Sequence, residues 1–97
     1  MESARRYLVA YDVSVDLRRG RIAKTLERFG DRVQYSVFVV DVRPAKLVRL
    51  RTELEQLMKA DDSILIADLG VLAALDARRF EFLGRRRDLR GSGPIVL

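Results

Sequence analysis

The chain has no cysteine and no histidine. Without cysteine there are no disulfides and no thiolate chemistry. Without histidine the usual general base near neutral pH is missing, and so is the commonest transition-metal ligand. Any metal ion must then be held by oxygen, which points to magnesium or manganese and away from zinc. Glycine and proline are scarce, at six and two, while 48% of the residues are hydrophobic. That is not the composition of a disordered chain. No apolar run reaches about 18 residues, so no membrane span is expected. The start, Met1-Glu2-Ser3-Ala4-Arg5-Arg6, leads straight into a strand, so no cleavable leader is expected. A cytoplasmic location is therefore expected.

What the chain has instead is arginine. Lysine and arginine number 19 against 14 acids, giving a net charge of +5. All but three of the cations are arginine, whose planar fork suits phosphate oxygens better than an ammonium does. A chain of 97 residues makes one domain with one modest core.

The pattern along the chain is that of alternating strands and helices. Residues 6–12 are short, apolar and bounded by polar residues, and are expected to form a central strand buried on both faces. A helix is expected over 17–29, with Ile22, Ala23, Leu26 and Phe29 on one side. Ser14 or Asp16 is expected to cap its start, and Gly30 to end it as a C′ residue. Residues 32–42 are too long for one ordinary strand, so a break is expected near Gln34–Ser36. A second helix is expected over 44–59, with Pro44 in its first turn and a buried stripe of Leu47, Leu50, Leu54, Leu57 and Met58. On its polar side Arg51 with Glu55, and Glu55 with Lys59, are four apart and placed to pair. A strand follows at 63–69, then a loop or helical turn at 70–77. The stretch 79–83 alternates like a half-exposed strand, and 95–97 is a short apolar end after a Gly-Ser-Gly-Pro link.

This order, βαββαβ with extra C-terminal β, is that of an α+β, ferredoxin-like fold with an antiparallel sheet. We expect the domain to occupy 1–84 and a basic linker with a last strand to occupy 85–97. Two helices cover one face of such a sheet and leave the other bare. A homodimer with stacked sheets, its C-terminal strands pairing with the partner's sheet edge, would cover it.

One segment is more specific. Tyr11-Asp12-Val13-Ser14-Val15-Asp16-Leu17-Arg18-Arg19, continuing through Ile22-Ala23-Lys24 and Leu26-Glu27-Arg28-Phe29-Gly30 to Arg32-Val33-Gln34-Tyr35-Ser36-Val37-Phe38, closely resembles the small CRISPR-associated endoribonuclease family. Members of that family are the partner of the integrase in spacer acquisition. The likeness is tight over 7–38 and looser over 63–69 and 79–84, which look like the family's fourth and dimer-crossing strands. One departure stands out: the family often follows Val-Phe with Glu-Gly, and here the chain reads Val39-Val40-Asp41-Val42.

The resemblance implies a ferredoxin-like homodimer with Asp12 facing its twin across the two-fold axis. The pair is implied to hold one magnesium ion, or manganese, for phosphodiester hydrolysis of single-stranded RNA, with Asp12 as catalytic residue and metal ligand. It also implies a bridging role in which the dimer sits between integrase dimers and binds the duplex DNA of a new spacer. Read from residue type alone, Asp12 is a turn or capping acid after a strand, and only the resemblance favours the metal ligand. Asp16 reads as a cap, and Tyr11 and Tyr35 as core or interface packing. Ser36 and Phe38 are expected to shape the fold and the dimer contact.

The cations fall into two groups. Arg18, Arg19, Arg21, Lys24 and Arg28 lie on or near the first helix. Arg78, Arg79, Arg85, Arg86, Arg87 and Arg90 lie near the C-terminus, opposed only by Glu81 and Asp88. Both groups are expected to contact phosphates without reading sequence; the plainer alternative is a solvated surface. A competing function is a toxin-like or regulatory ferredoxin-like module that binds a small ligand. Against it, no glycine-rich loop lies between Asp12 and the first helix.

Overall fold

The computed structural model describes residues 2–75 and 80–85. Its central strand, β1 (Arg5–Asp12), is rich in aromatic and β-branched residues and is hydrogen-bonded on both sides. After it come α1 (Asp16–Glu27), β2 (Asp31–Gln34), β3 (Val37–Val42), α2 (Pro44–Leu57), β4 (Ser63–Val71) and a short 3₁₀ turn, Leu72–Ala74. The sheet order is β2-β3-β1-β4, antiparallel throughout. This is the ferredoxin-like arrangement expected. The break in the long apolar run falls at Tyr35–Ser36, between β2 and β3. Among the described residues no helix is long and apolar enough to cross a membrane.

Strand alternation sorts the core. Tyr7, Val9 and Tyr11 of β1, Phe38, Val40 and Val42 of β3, and Ile64 and Ile66 of β4 face the helices. They meet Ile22, Ala23 and Leu26 of α1 and Leu47, Leu50 and Leu54 of α2. Both helices therefore lie on one face of the sheet. Leu8, Ala10 and Asp12 alternate onto the other face, where Ala10 stands opposite Val37 and Leu65. That face is only partly covered. Phe80 and Phe82 pack against Val33, Val37 and Val39 over its β2–β3 half, while Leu65 on the β4 side is 59% exposed. Asp41 forms a two-bond pair with Arg6, both 2.7 Å.

Several local expectations are corrected. The helices are two residues shorter at their C-termini than periodicity suggested. Neither Ser14 nor Asp16 caps α1: Val15 occupies the cap position with no side-chain bond, and Asp16 is the first helical residue. There its charge still complements the helix dipole. Gly30 is not a left-handed C′ residue, since Arg28 is the C-cap and positive φ among the described glycines occurs at Gly70 and Gly84. Gly30 is needed for a different reason. A Cβ there would run into the Val39 carbonyl oxygen and lie 2.9 Å from Val40 Cγ2. Among the described residues Arg51, Glu55 and Lys59, the last of which lies beyond α2, form no ion pairs. Residues 80–83 are not in a strand. Residue 79 and the short end at 95–97 lie outside the described residues.

Candidate nucleic-acid and metal site

β1 runs apolar until its last residue, Asp12, which is exposed and stands opposite Ser63 of β4. By alternation its side chain belongs to the helix-free face with Leu8 and Ala10. Asp12 has no ion pair among the described residues. Beyond it, buried Val13 pins the loop into the core. Arg19 then stitches that loop together: one terminal nitrogen donates to the Val13 carbonyl at 2.9 Å and the other to Asp16 at 2.5 Å. The Asp16 bond raises the Arg19 pKa from its ordinary value. Asp16 is thus a partner of Arg19, neither a cap nor a free ligand.

The other expected phosphate contacts divide sharply. Arg18 makes two bonds to Asp62, at 2.5 and 3.0 Å, with the Asp62 side chain almost fully covered. The Arg18 bond, helped by the Lys59 backbone N–H, lowers the Asp62 pKa. Arg28 makes two bonds to Glu53 of α2, at 2.8 and 3.1 Å, and the Arg28 bond lowers the Glu53 pKa. These two arginines clamp α1 to the loop before β4 and to α2. Arg21 and Lys24 are exposed and carry no ion pair among the described residues. Arg85 is exposed. Arg78, Arg79, Arg86, Arg87 and Arg90 lie outside the described residues.

Reading the cations from the sequence missed Arg32. It sits on β2 with its guanidinium 5.2 Å from the Phe38 ring, and it donates to the Tyr11 hydroxyl at 3.2 Å. Its Nε is buried with no hydrogen-bond partner among the described residues. The available signal was a cation in a short strand directly before the apolar run that starts at Val33. Of the two tyrosines, Tyr11 is core, 5% exposed, as expected. Tyr35 is not in the core of the single chain, where it is 65% exposed. Phe38 is wholly buried against Tyr11, so it serves the fold and presents nothing to a partner.

The donor set for a cation within one chain is thin. Among the described residues no group of three or more histidines, cysteines or acids could hold a metal ion. Asp12 supplies one carboxylate, and its nearest acidic neighbour in sequence, Asp16, is occupied by Arg19. Magnesium accepts one or two carboxylates and fills its remaining positions with water. Asp12 suits that habit best if a second copy of the chain brings a second Asp12 to the same place.

Residues 5–71 match the family described as CRISPR associated protein Cas2. A curated relative from Rhodospirillum rubrum, named CRISPR-associated endoribonuclease Cas2 3, is 38% identical over 93% of this chain and 98% of its own length. The crystal structure of Streptococcus pyogenes Cas2 superposes with a TM-score of 0.71 at 36% identity, covering 81% of this chain and 99% of that one. A hypothetical protein from Thermus thermophilus, also solved, gives a TM-score of 0.76 at 32% identity over 90% of this chain and 99% of its own.

Proposed function

This chain belongs to the Cas2 family of CRISPR-associated proteins, and on that premise we propose that it is a metal-dependent endoribonuclease that also bridges the spacer-acquisition complex. The observation that carries the reading is the position of Asp12: an exposed acid at the end of β1, on the face that the helices leave bare. Two copies joined through that face cover Leu65 and bring two Asp12 carboxylates to one seam. The pair would hold one magnesium ion, or manganese, which accepts as few as one or two carboxylates. Bound there, the ion supplies charge neutralisation at a phosphate oxygen and a more acidic bound water.

The chain's own residues do the rest. Asp12 fixes the position of the cation, and Arg19 keeps the following loop in place through Val13 and Asp16. Exposed Arg21 and Lys24 hold the backbone of single-stranded RNA or of duplex DNA, as do the C-terminal arginines from Arg78 to Arg87. The segment 85–97 is part of this proposal as a basic linker and strand that contacts a neighbouring chain. The bridging role needs the dimer, the duplex of a new spacer and the integrase, but not the carboxylates.

The test is cleavage of labelled single-stranded RNA by purified protein with and without magnesium, for wild type and Asp12→Asn. We expect wild-type cleavage to stop with chelator and with Asp12→Asn. Equal rates for the two proteins refute the Asp12 site. Light scattering at micromolar concentration checks the dimer, and a monomer refutes it. Spacer acquisition by Asp12→Asn in cells then separates bridging from hydrolysis.

A further inference from the structure

We propose that Tyr35 is a stacking platform for an unpaired nucleobase, holding single-stranded RNA at the Asp12 end of the sheet. The inference rests on the nucleic-acid reading above and deepens it. Tyr35 occupies the two-residue turn between β2 and β3 and is 65% exposed. A large ring left in water in this way gains by covering one of its faces.

The turn that carries the ring is anchored at its base. The Tyr11 hydroxyl donates to the Tyr35 carbonyl at 3.3 Å, and the Tyr11 backbone N–H donates to the Ser36 carbonyl at 3.0 Å. Both bonds come from the residue directly before Asp12, so ring and acid share one end of the sheet. The Arg19 guanidinium lies 5.9 Å from the Tyr35 ring centre and is itself held by Val13 and Asp16. Arg32, bonded to the same Tyr11 hydroxyl, has no carboxylate partner among the described residues. An exposed ring with the Arg19 guanidinium beside it suits a base. A base stacks through its face, which every base has, so the platform does not select sequence. It selects unpaired bases over paired ones, because a duplex hides those faces except at its ends.

The experiment is fluorescence anisotropy in chelator, so that binding is read without cleavage. The probes are a labelled 12-mer of oligo(U) and a labelled DNA duplex of matched charge. We expect Tyr35→Ala and Tyr35→Leu each to weaken oligo(U) binding by about 5- to 100-fold. Tyr35→Phe should stay within about twofold, since the ring and not the hydroxyl does the stacking. Duplex binding should change by less than about twofold in all three. Equal oligo(U) affinity for wild type and Tyr35→Ala overturns the proposal, as does full retention by Tyr35→Leu or an equal loss on duplex. A change of oligomeric state in Tyr35→Ala, read by sedimentation, also overturns it by placing the ring in a protein interface. If wild type fails to bind oligo(U) at all, the RNA reading itself falls. If Asp12→Asn cleaves normally while Tyr35→Ala binds poorly, only the metal site falls.

Discussion

The same substitution at two glycines ten residues apart should have opposite signs. Gly20 lies inside α1, and nothing stands within 4 Å of where a Cβ would sit. Alanine there removes the cost of a glycine in a helix interior, about 0.5–1 kcal/mol. At roughly 4–8 °C per kcal/mol for a domain of this size, Gly20→Ala should raise Tm by several degrees. Gly30→Ala faces the opposite situation. Its Cβ would overlap the Val39 carbonyl oxygen and lie 3.0 Å from the Val39 carbonyl carbon. Val39 is paired with Leu8 on one side and Asp31 on the other, and Val40 is fully buried. The obstacle is backbone held in a ladder, so it cannot step aside as a long side chain would. Overpacking of a core costs about 1–3 kcal/mol, and here the upper end applies because a strand must move. A loss of about 3 kcal/mol is a large part of a total near 5–15 kcal/mol and lowers Tm by about 12–24 °C. Thermal and urea unfolding followed by circular dichroism, with m-values compared, measures both variants. A Gly30→Ala protein within about 0.5 kcal/mol of wild type, or two variants moving the same way, refutes the reasoning.

Acid should unfold the protein partly through its clamps. Asp62 and Glu53 have lowered pKa values in the folded state because Arg18 and Arg28 bond to them. The unfolded chain therefore binds more protons at low pH. The stabilisation is full above the ordinary carboxylate range and is lost as pH falls through the lowered folded values. The urea midpoint should be level above about pH 5 and fall below about pH 4. Arg18→Gln should lower the level part and flatten the fall, and an unchanged profile contradicts the clamp. For polyanion binding, Arg21→Gln with Lys24→Gln should reduce the slope of log affinity against log salt by about 0.7 per lost contact on single strands. Arg28→Gln, already committed to Glu53, should leave the slope nearly unchanged. Equal effects would put the clamped and free cations on one footing and refute the division drawn between them.

The order of elements was legible because each depends on local pattern. Ile22, Ala23 and Leu26 at helical spacing, the apolar run of β1 and the over-long run at 32–42 all declared themselves. So did Asp12, as an acid closing an apolar strand. The ion pairs did not, because Arg18 and Asp62 are 44 residues apart and Arg28 and Glu53 are 25 apart. No periodicity marks a pair that only the packed fold brings together. Five cations on or near the first helix therefore looked equivalent, though Arg18, Arg19 and Arg28 are spent on holding the fold. The α1 start was misjudged for a related reason: Asp16 had a stronger offer from Arg19 than from the helix N–H groups. Tyr35 was expected in the core or an interface, and the single chain leaves it out of the core. A turn at Tyr35–Ser36 turns it outward, and the break was foreseen without that consequence being drawn.

The hydroxyl of Tyr11 is a shared joint: it takes a bond from Arg32 and gives one to the backbone of Tyr35. Removing that single oxygen, as in Tyr11→Phe, leaves the ring in place but strands a cation and loosens a turn in one stroke. A mutational scan scored on turnover would then rank the tyrosine beside the acid as chemistry. Its loss would in truth be architectural, and only a stability measurement made in parallel could tell a missing reagent from a sprung hinge.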